Sequence, residues 1–263
     1  MTITKPVEPS QTAEGLAALM VERDDIMREL VDETITSAEQ GDIREAGRTK
    51  CPESNTIKGP LARFPRAVDL AECPREVGGT WHTHVTPDEI RSPVNSLPDM
   101  ANVIYGLTDV SVVVGTDTAD VVVAPADHET AQGVFENAIG LEAGSAEGVT
   151  QAISDGRIDP TTARQRSRRF LNSLIFEVDT GYSEFDERIV AVPPENWAAA
   201  HGSGRNEQFA GNEASLTAFS SDSFTKAATE ADGALSDINI REVAISTAIG
   251  TIVGNFVDRT LFD

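Results

Sequence analysis

Apolar residues recur at helical spacing at both ends of the chain. From Gln11 to Gln40 they lie three and four positions apart among charged residues, which predicts one long amphipathic helix or two short ones. Residues 1–10 contain two prolines and few apolar groups, and they are predicted to form a loose arm. The final apolar stretch, Val243 to Val257, is uncharged over 15 residues. Since a helix needs about 20 apolar residues to cross a bilayer, this stretch indicates a buried or self-associating helix.

The middle of the chain has a residue pattern typical of β-strands. Prolines and short apolar pieces between Gly41 and Gly79 favour strands and connecting loops over helix. Gly79 to Val85 alternates in residue character as a strand does. Two β-branched runs, Val110 to Gly115 and Val121 to Ala124, are separated by a polar turn and predict a β-hairpin. A short helix is predicted after Pro98, between the first strand and the hairpin.

Helical patterns return after the hairpin. They begin at Asp127, and an Asp-Pro start signal opens a second helix predicted to extend from Asp159 to Val178. Residues 178–238 are rich in Gly, Ser, Asp and Glu, and they predict partly irregular structure. These patterns indicate an α+β fold, a mixed β-sheet flanked by helices, with one domain over residues 11–126. Residues 127–263 are predicted to be a mainly helical region of unknown function.

The charge balance of the chain excludes some classes of partner. It contains 43 acidic and 21 basic residues, a net charge of −22, and only four lysines. The acidic residues are spread along the whole chain, as in proteins adapted to a salt-rich cytoplasm. Such a surface repels nucleic acid. The one basic cluster, ARQRSRRF from Ala163 to Phe170, is predicted to pair mainly with surrounding carboxylates, with binding of an acidic partner or nucleic acid as the alternative.

Two further features bear on the cellular location. The N-terminal residues lack a basic segment followed by an apolar stretch, which argues against secretion and makes the cytoplasm the expected location. Cys51 and Cys73 have no CxxC spacing, so neither a disulfide framework nor a structural zinc site is indicated. The two cysteines can pair only if the segments that carry them are neighbours.

Two of the four histidines stand two positions apart in a predicted strand. His82 and His84 therefore share one face of that strand and can reach the same ion, although His-x-His alone is a weak signal. Asp99, at a predicted helix start, can complete a His2Asp ligand set. Three protein ligands leave one tetrahedral position open, which is typical of catalytic Zn²⁺ sites. Trp81 and Thr83 alternate with the histidines and are predicted to pack in the core.

These residues resemble a known family, the JAMM (JAB/MPN) zinc metallopeptidases. Its signature is an upstream Glu, a His-x-His pair and a Ser-x-x-Asp motif, which match His82-Thr83-His84 and Ser96-Leu97-Pro98-Asp99. The helix before the Glu and the strand pair after the motif are present too, so the resemblance covers roughly residues 15–125. The chain departs from the pattern by placing Val85 where the family has proline and by a longer spacer between His84 and Ser96.

The resemblance implies an MPN-like fold and a role for each site residue. His82, His84 and Asp99 would bind Zn²⁺, and Glu45 would be the general base. Glu53 and then Glu39 are the alternatives to Glu45. Ser96 would stabilise the oxyanion, and helix capping is its equally natural structural role.

Two functions follow as expectations. The first is a metallopeptidase or isopeptidase acting on a protein or peptide, including conjugates of ubiquitin-like modifiers. The second is a non-catalytic MPN-type scaffold or an assembly protein of a virus or plasmid. Neither expectation includes nucleic acid or a membrane as a partner. The C-terminal helix suggests a homo-oligomer.

Overall fold

A six-stranded mixed sheet organises the described part of the chain. A computed structural model describes residues 7–51, 56–64, 67–70 and 78–199, all of which belong to one compact unit, Met1–Ser203. The fold is α+β, as the sequence predicted. The strands are β1 (Gly47–Cys51), β2 (Thr56–Lys58), β3 (Pro60–Phe64), β4 (Ala67–Leu70), β5 (Gly79–His82), β6 (Val110–Val114), β7 (Thr118–Val123) and β8 (Ile175–Asp179).

Eight α-helices occur among the described residues. They are α1 (Gln11–Val21), α2 (Asp24–Glu39), α3 (Leu97–Ile104), α4 (His128–Ile139), α5 (Ala146–Ser154), α6 (Pro160–Phe170), α7 (Asp186–Ala191) and α8 (Pro194–Ala199). Among them, no helix has the length and apolar character needed to span a bilayer.

The strand order places β5 in the middle of the sheet. The order is β2-β1-β5-β6-β7-β8, in which only β5 and β6 are parallel. The strands β3 and β4 form a separate antiparallel pair. The predicted hairpin is confirmed as β6 and β7, whose eleven residues are all buried and include seven valines. A central strand is rigidly held on both sides, which suits β5 to carry a site.

The N-terminal helices cover one face of the sheet. The predicted segment from Gln11 to Gln40 forms two helices, α1 and α2, and both contact the central strands. The indole of Trp81 is fully buried and donates to the Met20 carbonyl at 3.3 Å. A Cβ atom at Gly79 would collide with the Met20 thioether, so a glycine permits this close approach of α1 to β5.

Helix starts on the other side of the sheet follow the signals in the sequence. The helix predicted after Pro98 is α3, and a capping box formed by Ser96 and Asp99 begins it. Asp127 and Asp159 cap α4 and α6 in the same way, each accepting a backbone N–H with its side chain. Helix α6 contacts both α3 and α4, so the helical layer over the site is joined to the start of α3.

Two predicted elements have bounds in the structure that differ from the predicted ones. The helix predicted over Asp159 to Val178 ends at Phe170, and Ile175–Asp179 pairs with β7 as the edge strand β8. The β-branched and aromatic residues of this segment fit a half-buried strand, and pairing with β7 outweighs helical continuation. The predicted strand Gly79 to Val85 ends at His82 as regular structure.

The region after residue 126 contributes to the same unit as the site. Its described part contains α4 to α8 and the strand β8, which completes the six-stranded sheet. The predicted boundary between residues 126 and 127 falls inside the unit Met1–Ser203. The distinct role assigned to residues 127–263 stays a prediction, and the predicted helix from Val243 to Val257 lies outside the described residues.

Cys51, the last residue of β1, is buried and disulfide-bonded. The chain has two cysteines in all. The sequence left a pairing of Cys51 with Cys73 open on the condition that their segments be neighbours, and Cys73 lies outside the described residues.

Candidate metal centre

The two histidines of the His-x-His pair lie at the end of the central strand. His82 is the last residue of β5, and His84 follows two positions later in extended backbone. Both side chains are buried, and their ring centroids are 5.3 Å apart. Trp81 and Thr83 point to the opposite face, where they contact α1 and α2. The predicted core roles of Trp81 and Thr83 are thus confirmed.

Asp99 reaches the same place from the first turn of α3. The Ser96 N–H donates to the Asp99 Oδ2 atom at 2.7 Å, and the Ser96 hydroxyl accepts the Asp99 N–H at 3.3 Å. This reciprocal pair fixes the Asp99 carboxylate towards the end of β5. The predicted capping role of Ser96 is confirmed. The hydroxyl proton of Ser96 is not used by the cap and can still be donated.

The three side chains converge on a volume the size of a metal ion. The Asp99 Oδ2 atom lies 3.4 Å from His82 Nε2 and 3.7 Å from His84 Nε2. All three ligand atoms lie within 4.8 Å of one another. With bonds of about 2.0–2.2 Å, neighbouring ligand atoms of a tetrahedral zinc site lie roughly 3.3–3.6 Å apart. The two separations from Asp99 are close to such edges and exceed good hydrogen-bond lengths. His82, His84 and Asp99 can therefore hold a metal ion.

The carboxylates around His84 control its charge. Burial by itself would lower the pKa of His84, but Asp99, Glu89 and Glu45 outweigh burial and raise this pKa to about 9. Burial would likewise raise the pKa of Asp99, but the two imidazoles hold it well below its ordinary value. Without a metal, His84 is thus a cation at neutral pH that compensates the buried Asp99 carboxylate. A divalent cation would supply the same compensation.

Glu45 lies beside His84 because of the pairing between β1 and β5. Gly47 pairs with His82, and the Thr83 N–H donates to the Ala46 carbonyl at 3.0 Å, which extends the ladder past the end of β5. Continuing this register puts Glu45 opposite His84 and on the same face of the sheet. The Glu45 side chain is only 7% exposed, and its charge acts on the pKa of His84.

Thr83 joins this segment to α2. Its hydroxyl accepts the Ala46 N–H at 3.0 Å and shares a hydrogen bond of 2.6 Å with the Thr34 hydroxyl. All of these atoms are buried, so the position of Glu45 relative to the histidines is fixed by hydrogen bonds at its neighbouring residue.

Glu89 is a site residue in the spacer between His84 and Ser96, and its contact with the site was not predicted from the sequence. Its Oε2 atom accepts the Thr86 hydroxyl at 2.8 Å, and its Oε1 atom lies 4.0 Å from His84 Nδ1. His84 Nδ1 is buried and has no hydrogen-bond partner among the described residues. Metal-binding histidines usually donate their outer N–H to a carboxylate or carbonyl. A small closure of this gap would give His84 such a partner. The only signal for this role of Glu89 in the sequence is its place five positions after the candidate ligand His84.

A buried network of hydrogen bonds and one ion pair connects the segment before α3 to the sheet. Asp120 is 1% exposed and binds Arg168 through two hydrogen bonds of 2.7 and 2.8 Å. The Asp120 carboxylate also accepts the Asn95 N–H at 2.7 Å, and Asn95 accepts the Ser111 hydroxyl at 2.7 Å. Asn95 directly precedes Ser96, so the sheet holds the residue next to the capping box. The predicted carboxylate pairing of the basic cluster is confirmed for Arg168.

The other candidate general bases and the two remaining histidines either lie away from the site or fall outside the described residues. Glu39 is exposed at the end of α2 and pairs with Arg188 at 2.8 Å. Glu53 and His201 lie outside the described residues. His128 begins α4 and interacts through Nδ1 with the Ile104 carbonyl at 2.9 Å, which agrees with its predicted ordinary role.

An open cleft adjoins the loop that follows His84. It has a volume of about 380 Å³, and Pro87, Asp88 and Arg91 of that loop line one side. The opposite side is largely apolar and consists of Ile189, Val190, Val192, Pro194 and Trp197. The long spacer between His84 and Ser96 thus provides one wall of this cleft, and none of the three candidate ligands lines it.

Comparison of the chain with protein-family models, with curated proteins and with solved structures gives no significant match. The site is therefore interpreted from its own geometry. The donor set of two imidazoles and one carboxylate fits a metal ion that takes nitrogen and oxygen ligands.

Proposed function

We propose that this protein is a zinc-dependent metallopeptidase or isopeptidase of the JAMM type, with an MPN-like fold. The convergence of His82, His84 and Asp99 on one point supports the proposal most directly. The ligand order, the helix pair before Glu45 and the hairpin after α3 agree with the resemblance in the sequence. Zinc bound by these ligands would supply Lewis acidity, which polarises a carbonyl group and lowers the pKa of water to about 7.

Two further residues carry the protein's part of the chemistry. Glu45 is buried beside His84 and accepts the proton of the attacking water, then returns it to the leaving amine. Ser96 donates a hydrogen bond from its hydroxyl group to the oxyanion of the tetrahedral intermediate. The peptide bond is thereby cleaved by addition of one water, which yields one carboxylate and one amine.

The cleft suits an extended polypeptide as the substrate. Its apolar wall and its position beside the loop after His84 would bind residues next to the scissile bond. A lysine isopeptide of a ubiquitin-like modifier is one such substrate, since its modifier ends in an extended segment.

The first test is metal content and hydrolysis with matched variants. Protein purified in high salt is expected to contain about one zinc per chain and to hydrolyse a modifier-lysine isopeptide. Glu45→Gln should lose at least about 100-fold in rate, given the usual contribution of a general base, and should keep its zinc. Glu39→Gln is the control, because this exposed glutamate pairs with Arg188 away from the site.

Metal-free wild-type protein without activity would contradict the proposal and favour the non-catalytic scaffold. A Glu45→Gln variant as active as Glu39→Gln would contradict the role of Glu45. His82→Ala should lose zinc whereas His128→Ala should keep it, and equal zinc content in these two variants would contradict the ligand assignment.

A further inference from the structure

One arginine of the basic cluster differs from its neighbour in the bonds that it makes. Arg164 and Arg168 are one helical turn apart on α6 and therefore lie on the same face of the helix. Arg168 is used in the ion pair with Asp120. No hydrogen bond or ion pair joins Arg164 to any residue that the structure describes. The two arginines therefore have different roles.

Arg164 lies beside the candidate metal centre. Its guanidinium is close enough to Glu89, Asp120 and Asp99 to interact electrostatically with all three. Helix α6 also contacts α3, which carries Asp99. The side chain is partly buried, and burial lowers the pKa of Arg164 from a value so high that the group stays charged. A permanent cation thus lies within electrostatic range of Asp99, one of the candidate ligands.

The donors of Arg164 are available to a ligand. A guanidinium has five N–H donors in a planar fork, and no Arg164 nitrogen is among the fully buried atoms that lack a partner, so these donors reach solvent. Its neighbours Glu89, Asp99 and Asp120 already bind other groups, namely the Thr86 hydroxyl for Glu89, the Ser96 N–H for Asp99 and Arg168 with Asn95 for Asp120. The planar fork matches a carboxylate through two parallel hydrogen bonds. A carboxylate supplied by a ligand could therefore bind Arg164 through both of its oxygens.

We propose that Arg164 binds a carboxylate of the peptide substrate beside the metal centre, which makes the protein selective for a scissile bond with a carboxylate close to it. This inference rests on the proposed function and names the substrate class. The carboxylate comes either from the C-terminus of the peptide or from an Asp or Glu side chain. Arg164 anchors the substrate, and hydrolysis itself still depends on Glu45.

Direct binding to the full chain tests the proposal without relying on activity. The probes are acetyl-Gly-Gly with a free carboxylate, its C-terminal amide, and acetyl-Gly-Asp amide, measured by calorimetry at one fixed KCl concentration. Each is titrated into zinc-free and zinc-loaded Glu45→Gln protein, so that no probe is cleaved. Adding Arg164→Ala to this protein is expected to weaken binding of one of the two carboxylate probes about 10- to 100-fold, as for loss of a charge-assisted hydrogen bond. Binding of the acetyl-Gly-Gly amide should not change.

The variants separate anchoring from structure. Arg166→Ala is the control, since Arg166 is exposed on the same helix. Arg164→Lys should restore part of the affinity, because it keeps the charge and loses the fork. Melting curves identify a variant that fails to fold, in which case the Lys variant carries the test. Tighter binding of acetyl-Gly-Gly supports a terminal carboxylate, and tighter binding of acetyl-Gly-Asp amide supports an acidic side chain.

The proposal would be overturned if the Glu45→Gln protein bound both carboxylate probes with the same affinity whether position 164 is Arg, Ala or Lys. This failure is distinguishable from failure of the proposed function. Carboxylate binding that depends on Arg164 in zinc-free protein would persist even if the wild-type chain were inactive. Conversely, hydrolysis that needs Glu45 but not Arg164 would leave the proposed function intact.

Discussion

His84 has opposite protonation requirements in the metal-free and metal-bound protein. Its pKa of about 9 in the metal-free fold exceeds its ordinary value of 6.5. Protonated His84 therefore stabilises the metal-free fold fully below about pH 6.5, and this contribution is lost as the pH rises to about 9. The pKa of Asp99 is lowered, so its contribution is present above its ordinary pKa of 3.8 and is lost on acidification.

Zinc binds the neutral imidazole, so the proton on His84 competes with the metal. We expect the zinc-dependent increase in Tm to grow between pH 6.5 and pH 9, with zinc affinity rising by up to about tenfold per pH unit. Melting curves with zinc and with EDTA at fixed KCl measure this increase. The same increase at both ends of the range would contradict the assignment of His84 as a ligand.

The site residues differ in how far spacing alone could identify them. His82 and His84 share a strand face, and Asp99 follows a helix-start signal, so local rules were enough to group them. Glu89 and Arg164 approach the site only because the loop after His84 folds back and α6 packs on α3. Such contacts arise from tertiary structure, which neither periodicity nor a motif contains.

Among the elements, α3 depends most on support from outside itself. Its first turn carries Asp99, and the residue before its cap is bound to Asp120, which Arg168 neutralises. Arg168→Ala would leave a buried carboxylate without its cation. We expect a loss of about 3–5 kcal/mol in the free energy of unfolding, together with weaker zinc binding, measured by chemical denaturation and zinc titration.

Arg169→Ala is the matched control, because Arg169 is exposed on the same helix and should change stability by less than about 0.5 kcal/mol. Equal stability of the two variants would show that the Asp120 network does not support the fold.

Element types were predicted better than element ends. The two N-terminal helices, α3 and the hairpin followed from hydrophobic period and capping signals. The strand β8 was missed, because its residues continue an apparent helix and only pairing with β7 makes them a strand. Likewise His84 stays extended beyond β5 through the bonds between Thr83 and Ala46, which involve a distant segment.

At the scale of the whole molecule, charge is expected to govern stability. The net charge of −22 on 263 residues favours expansion through repulsion, which dissolved salt screens. We expect Tm to rise as KCl increases from dilute buffer to molar concentration, measured by thermal melting of the metal-free protein with EDTA. A Tm independent of KCl would contradict adaptation to a salt-rich cytoplasm.

The anchoring of Asn95 has a consequence for how this site can diversify. His84 is fixed by the central strand, and Asn95 is fixed by Asp120 and Ser111, so both ends of the intervening segment belong to the rigid scaffold. Length changes confined to the exposed part of that segment, around Asp88, would then alter the wall of the cleft while both anchored ends keep their positions. Under the proposed function, variation in substrate preference would arise there and not at the ligands.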